Sequence, residues 1–214
     1  MTAPWTVYGQ SGSGSVAIEA ALTLLQLPFR LVETSLRRSE ARDAFRTVNP
    51  MRQLPALVLP SGELMTESAA ILIWLAETHP EARLAPAPAT PKRAEFLQWM
   101  AFVSAAIYAL YWVRDDPSRL VDDKANQALV KDRTKHRISE CWAVMDARLS
   151  PGRFLLGDDM SVLDLYVAVV SRWGLRREGF YAAAPRMADC IRRVDDDDRL
   201  RALWALRMPP GDDE

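Results

Sequence analysis

Cysteine and histidine are scarce in this chain of 214 residues, with two of each. Cys141 and Cys190 are too few for a disulfide framework, and both fall inside helical patterns, where a small thiol packs as an inert apolar group. His79 and His136 stand alone, without the Cys or His spacing of a metal site, so no metal is expected. An excess of either charge is also missing. Lys and Arg number 27 against 28 Asp and Glu, a formal charge of −1, so no global field favours nucleic acid or an anionic membrane. Apolar stretches are broken by Arg, Glu, Gln or Asp before the roughly 20 residues of a membrane span. The opening MTAPWTVYG has no basic segment followed by an apolar one, so no secretory signal is expected and the cytoplasm is the default compartment. No lysine follows the glycine-serine loop Gly9 to Ser15, and its glycine spacing lacks the dinucleotide-binding form, which argues against a phosphate cradle.

What remains is an ordinary globular composition, 49% hydrophobic and 26% charged, long enough for one large domain or two small ones. The pattern changes along the chain. Trp5 to Tyr8 predicts a strand, Val16 to Leu25 a helix, Phe29 to Glu33 a second strand, and Ser39 to Val48 a short helix that Pro50 stops. Ala56 to Leu59, a Ser61-Gly62 turn and Glu63 to Met65 read as a hairpin. Thr66-Glu67-Ser68 then opens an amphipathic helix carrying Ala69, Ile71, Leu72 and Leu75. His79 to Pro91 holds four prolines and four alanines and reads as a linker. Beyond it only helices are expected, over Pro91–Arg114, Asp122–Leu149, Ser161–Trp173, Pro185–Val194 and Asp196–Leu206. The expectation is an α/β domain over residues 1–79, a linker over 80–90 and an all-α domain over 91–214. The acidic run Asp195 to Asp198 is expected to start the last helix, and Arg172, Arg176 and Arg177 to form a solvated helix end.

The chain is organised around Asn49 to Glu77, where a strand edge, a proline and a helix start fall close together. Backbone donors, the Glu67 carboxylate and the Ser68 hydroxyl can converge there on one small polar ligand.

The wording NPMRQLPAL followed by ESAAIL resembles the glutathione-binding half of the glutathione transferase superfamily, closest to its zeta-type members. The segment Gly157-Asp158-Asp159-Met160-Ser161-Val162-Leu163-Asp164 resembles that family's capped helix, in which Ser161 and Asp164 have a structural role. The order of elements matches over nearly the whole chain. The resemblance implies a thioredoxin-like domain followed by an all-helical one, glutathione as co-substrate, a small electrophilic molecule as second substrate, and a homodimer. It implies that Pro55 is cis, that the Leu54 backbone pairs with the cysteinyl part of glutathione, and that Glu67 and Ser68 hold the γ-glutamyl end. Gln53 would contact the tripeptide and Arg52 would face its glycyl carboxylate, a solvated arginine being the alternative.

Activating the thiol means lowering a pKa near 8.5 by two units, about 2.7 kcal/mol, which a helix N-terminus and one hydrogen bond can supply. The loop before the first helix offers both. The slots of the catalytic serine of zeta-like relatives and the cysteine of beta-class relatives fall on Gly12 and Gly14, so Ser13, then Ser11, are the candidates; the alternative is that all three loop serines only cap the helix and shape the turn. Tyr108, Trp112 and Tyr166 are candidates for the electrophile pocket, with Tyr111, Arg114 and Trp173 beside them and core packing as the alternative. The expected function is a glutathione transferase. The alternatives are an isomerase of the maleylacetoacetate type, although the loop lacks that group's Ser-Ser-Cys, and a non-catalytic binding module of the same fold.

Overall fold

The computed structural model describes residues 4–36 and 39–209, with the Ser39 side chain left aside. The expected domain limits at residues 1 and 214 lie outside the described residues.

Strand β1 (Trp5–Gly9), with Thr6, Val7 and Gly9 buried, is followed by helix α1 (Ser15–Leu24) and strand β2 (Phe29–Glu33). The two strands are parallel, from Trp5 opposite Phe29 to Gly9 opposite Glu33. A parallel pair needs a crossover, and α1 supplies it. The helix is buried from Ser15 to Leu22 and ends where Gln26 turns to φ 56° and Leu27 N–H returns to the Leu22 carbonyl at 3.0 Å. Helix α2 (Ser39–Phe45) follows β2, and Phe45 packs 5.7 Å from the Tyr8 ring. The hairpin forms as expected, with β3 (Ala56–Val58) and β4 (Leu64–Met65), and the sheet order is β2-β1-β3-β4.

One register decides where a site can be. β3 runs antiparallel to β1, with Tyr8 opposite Ala56 and Thr6 opposite Val58. The exit of β1 and the entrance of β3 therefore lie at the same end of the sheet. The glycine-serine loop and the Leu54-Pro55 step, more than forty residues apart in sequence, become neighbours. Helix α3 (Ser68–Thr78) packs beside α1 and closes this layer.

The remainder is helical. Helix α4 (Pro91–Phe102) passes through a π-helical turn, Val103–Tyr108, into α5 (Ala109–Asp115) without a break. Contrary to the sequence reading, this continuous 25-residue helix, Pro91–Asp115, is long and apolar enough by length and composition to cross a membrane. In the fold its apolar stripe, Phe96, Met100, Val103, Ile107 and Tyr111, faces the interior. Helices α6 (Lys124–Arg148) and α7 (Val162–Val170) pack on it or beside it. All nine residues of α7 are buried, and it touches α1, α3, α4 and α9 (Ala188–Asp195).

Two expectations change at the C-terminal side. Helix α8 (Arg176–Ala183) is not expected from the sequence, because its first turn is charged and only Phe180 is buried. The last helix, α10 (Arg201–Arg207), begins later than Asp196. The acidic run does other work: Asp195 takes Arg172 and Arg177 at 2.7 Å each, and Asp197 holds Arg199 at 2.7 Å. Arg172 and Arg177 are thus mostly buried and paired rather than solvated.

The start of α7 matches the sequence reading, with a capping box between Ser161 and Asp164. The Asp164 carboxylate accepts from Ser161 N–H at 2.8 Å, Ser161 Oγ–H at 2.7 Å and Leu155 N–H at 2.8 Å. Burial pushes this carboxyl up while the three donors pull it down. Asp164→Ala strands two buried amides, so unfolding in urea is expected to show a loss of roughly 2–5 kcal/mol. Ser161→Ala is expected to lose about 1 kcal/mol.

Candidate functional site

The turn Asn49 to Gln53 is built by one buried amide. Asn49 Nδ2 donates to the Gln53 carbonyl at 2.8 Å, and its Oδ1 accepts from Met51 N–H at 3.0 Å. Sequence reasoning treated Asn49 only as a turn residue; its burial, with 5% exposure, marks it as the brace that aims the next residues. The Leu54–Pro55 peptide is cis, and Pro55 is buried.

Helix α3 begins nearby without a side-chain cap. The sequence reading gave its first turn a hydroxyl cap, but Ser68 Oγ instead hydrogen-bonds Tyr166 Oη at 2.8 Å. The first amides of α3 are left with the positive end of the helix dipole and no capping oxygen. Thr90, Asp123 and Ser161 cap α4, α6 and α7, whereas α1, α8, α9 and α10 share the uncapped start. Glu67 holds φ 65° and ψ 101°, an uncommon conformation for a non-glycine residue, and its carboxylate is exposed.

These parts enclose one cavity of about 270 Å³. Arg52, Gln53, Leu54, Pro55, Glu67 and Ser68 line one side, and Tyr108 and Trp112 the other. Leu36, Asn49, Ser104 and Asp115 also line it and were not foreseen. Arg52 is half exposed and lies 3.4 Å from Asp43, a surface pair worth little. Tyr166 does not line the cavity. It sits on the fully buried helix α7, behind Ser68, where burial raises its hydroxyl to about 12. Its part is to hold Ser68 rather than to wall a substrate. Tyr111 is likewise buried, donating to the Trp173 carbonyl at 2.8 Å.

The loop serines turn inward. Ser11 Oγ donates to the Arg207 carbonyl at 2.9 Å. Ser13 Oγ and Ser15 Oγ are 3.0 Å apart, and Ser15 Oγ donates to Glu19 Oε1 at 2.9 Å. Neither Ser11 nor Ser13 is among the residues lining the cavity. Gly9 leaves the space that Ser15 fills, since a Cβ there would stand 2.4 Å from Ser15 Oγ. The loop is then fastened by the C-terminal helices. Gly12 N–H donates to the Arg207 carbonyl at 2.8 Å, and Trp173 Nε1–H donates to the Gly12 carbonyl at 2.7 Å. Arg207 Nε lies 2.8 Å from Glu19 Oε2, off the line of a good hydrogen bond, while Nη1 donates to Glu33 Oε2 at 2.8 Å.

A larger space of about 690 Å³ lies under the linker, between the end of α3 and the Asp158–Ser161 segment. Of its charged side chains, Arg93 pairs with Glu77, Arg83 with Asp159 and Lys92 with Glu95. Neither Arg52 to Pro55, Glu67 or Ser68 nor the glycine-serine loop lines it. Among the described residues no group of three or more His, Cys, Asp or Glu side chains is arranged to hold a metal ion.

Glu19 and Arg207 are almost fully buried, so removing one leaves the other costly. Arg207→Met is expected to lose roughly 3–5 kcal/mol near neutral pH. Burial already raises Glu19 above its ordinary 4.5, with Arg207 opposing that rise. Without Arg207 the folded-state value climbs further. A raised carboxyl is favourable below its unfolded pKa and loses that advantage as pH rises. The deficit measured by urea unfolding should therefore shrink on acidification toward pH 4.5 and grow toward neutrality.

Residues 15–83 match the family model described as glutathione S-transferase, N-terminal domain. The chain is 31% identical over 176 residues to an uncharacterised GST-like protein, YncG, of Escherichia coli K12, covering 81% of this chain and 84% of that one. It is 28% identical over 203 residues to a probable maleylacetoacetate isomerase 1 of Drosophila melanogaster, covering 92% and 79%. Among solved structures, a sphingomonad glutathione S-transferase complexed with glutathione superposes with a TM-score of 0.76 at 25% identity, over 95% of this chain and 98% of that one. The thioredoxin-like sheet with its helical partner, the NPMRQLPAL and ESAAIL wording and these likenesses agree: the chain belongs to the glutathione S-transferase family.

Proposed function

We propose that the cavity binds glutathione and that the protein is a glutathione transferase, presenting the thiolate to a small electrophile. The observation that carries this is the uncapped start of α3 opening beside Glu67 and Leu54 in a single cavity. An amino-acid end carries a carboxylate and an ammonium. The free amides of α3 attract the first, and the Glu67 carboxylate attracts the second. Leu54 offers its main chain to a peptide laid along the entrance of β3, as in strand addition. Gln53 and Arg52 stand farther along, toward the glycyl end. The sphingomonad relative's bound glutathione supports the same ligand here. The start of α1, next to this cavity, supplies part of the field that a thiolate needs. The electrophile would enter past Tyr108 and Trp112, the latter 44% exposed. The reading extends to a cytoplasmic homodimer, as family membership suggests.

A second reading, a glutathione-dependent isomerase of the maleylacetoacetate type, is favoured by the NPMRQLPAL wording and by the likeness to the Drosophila protein. The two readings share the clamp and differ in the second substrate.

Titration calorimetry tests the clamp. Glutathione should bind, and Glu67→Gln and Ser68→Ala should each weaken it about tenfold or more, the cost of one hydrogen bond to a charged group. No detectable heat at millimolar glutathione would sink both readings. Turnover of a chloronitrobenzene, against isomerisation of maleylacetoacetate, then separates them.

A further inference from the structure

We propose that the hydroxyl of Tyr108 is the hydrogen-bond donor to the sulfur of the bound ligand, a role expected above for a loop serine. This deepens the proposed function and rests on it.

The position is set by the π-helical turn Val103–Tyr108, which inserts an extra residue into the long helix and swings Tyr108 toward the sheet. Its Oη lies 3.3 Å from the Leu54 carbonyl and donates to it. The same oxygen rests on the loop, because a Cβ built at Gly14 would stand 2.3 Å from it. One hydroxyl therefore touches the clamp and the start of α1 together. Among the hydroxyls of this corner it also lines the cavity, whereas those of Ser11, Ser13 and Ser15 point to the Arg207 carbonyl, to each other and to Glu19.

Binding changes the partner of this hydroxyl. A peptide amide added to the entrance of β3 takes the Leu54 carbonyl, the acceptor that Tyr108 now uses. The released O–H needs a new acceptor in a shielded place. In a cysteinyl unit the sulfur is three bonds from that amide nitrogen, and a thiolate at the start of α1 is the nearest acceptor. The ring keeps its place during the exchange. It packs 6.1 Å from Tyr166, which holds Ser68, and 5.0 Å from Trp173, which holds Gly12. Burial keeps the phenol protonated well above the ordinary tyrosine range, so it donates and does not act as a base. The thiol proton leaves to water at the cavity mouth.

The charged and titratable groups around Tyr108 are Tyr166 on α7, Glu67 before α3 and Asp115 on α5, with Arg52 across the cavity. Both carboxylates disfavour a second anion, which makes a donor at the sulfur more necessary. Tyr108→Phe leaves all of them in place and removes one oxygen.

The experiment follows thiolate absorbance of protein-bound glutathione against pH, beside calorimetry with glutathione and with S-methylglutathione. Tyr108→Phe should raise the pKa of the bound thiol by about one unit or more, while S-methylglutathione binds within threefold of the unsubstituted protein. An unchanged thiol titration in Tyr108→Phe overturns the proposal. So does a comparable rise in Ser13→Ala with none in Tyr108→Phe, which returns the role to the loop. Failure of the unsubstituted protein to bind either ligand overturns the proposed function itself, a result distinct from binding with an unmoved titration.

Discussion

The buried contact between Glu19 and Arg207 is the constraint on which the reactive corner depends. Arg207 grips the loop twice. Its guanidinium sits against Glu19, the acceptor of Ser15, and its carbonyl takes Gly12 N–H and Ser11 Oγ–H. A glycine-serine loop left to itself would sample many conformations. Here the last helix, the first helix and, through Glu33, the second strand meet on one arginine. Such a pair adds little net stability against an apolar substitute, yet it is costly to break from one side. Its value lies in allowing one arrangement of the loop and penalising the others.

That arrangement joins the sheet layer to the helical layer at three points near the cavity. Trp173 reaches Gly12, Tyr108 reaches Leu54, and Tyr166 reaches Ser68. The Tyr108 ring packs against both of the others. Helix α7, anchored by Asp164 and buried all round, carries Tyr166 and sets the base of the group. The clamp and the loop are thus held at fixed separation by aromatic packing rather than by the sheet alone.

What was legible in the sequence follows from this geometry. The clamp was legible because its parts are local: a proline turn, a hairpin and a helix start within about twenty residues, each with its own turn or cap chemistry. The capping box at Ser161 and Asp164 is local in the same way. The loop was not legible, because what decides the direction of its hydroxyls is distant. Arg207 is 188 positions from Glu19, Trp173 is 161 from Gly12, and Tyr166 is 98 from Ser68. A serine next to a helix start looks reactive until a remote carbonyl or carboxylate claims its proton. Nothing in VSAAIY announces a π-helical turn, so Tyr108 could be named as a pocket residue but not placed against Gly14. Helix α8 was missed for the opposite reason, having too little apolar periodicity to register.

The start of α3 combines two features that each cost stability. A missing cap is worth about 1 kcal/mol, and a non-glycine residue at positive φ about 1–3 kcal/mol. Ser68 is well placed to act within the first turn, yet its hydroxyl is drawn off by Tyr166, and Glu67 is held at φ 65° with its carboxylate in the open. Thr90, Asp123 and Ser161 cap α4, α6 and α7, while α1, α8, α9 and α10 also begin without a side-chain cap. What sets α3 apart is that a hydroxyl in its first turn, Ser68, is present and is engaged by Tyr166 instead. Free amides and a free carboxylate side by side are unfavourable in an empty fold and favourable to a zwitterionic ligand, whose two ends satisfy both. On the proposed function, the stability given up at this turn is recovered on binding, so an unfavourable turn within Asn49 to Glu77 is compatible with a stable fold.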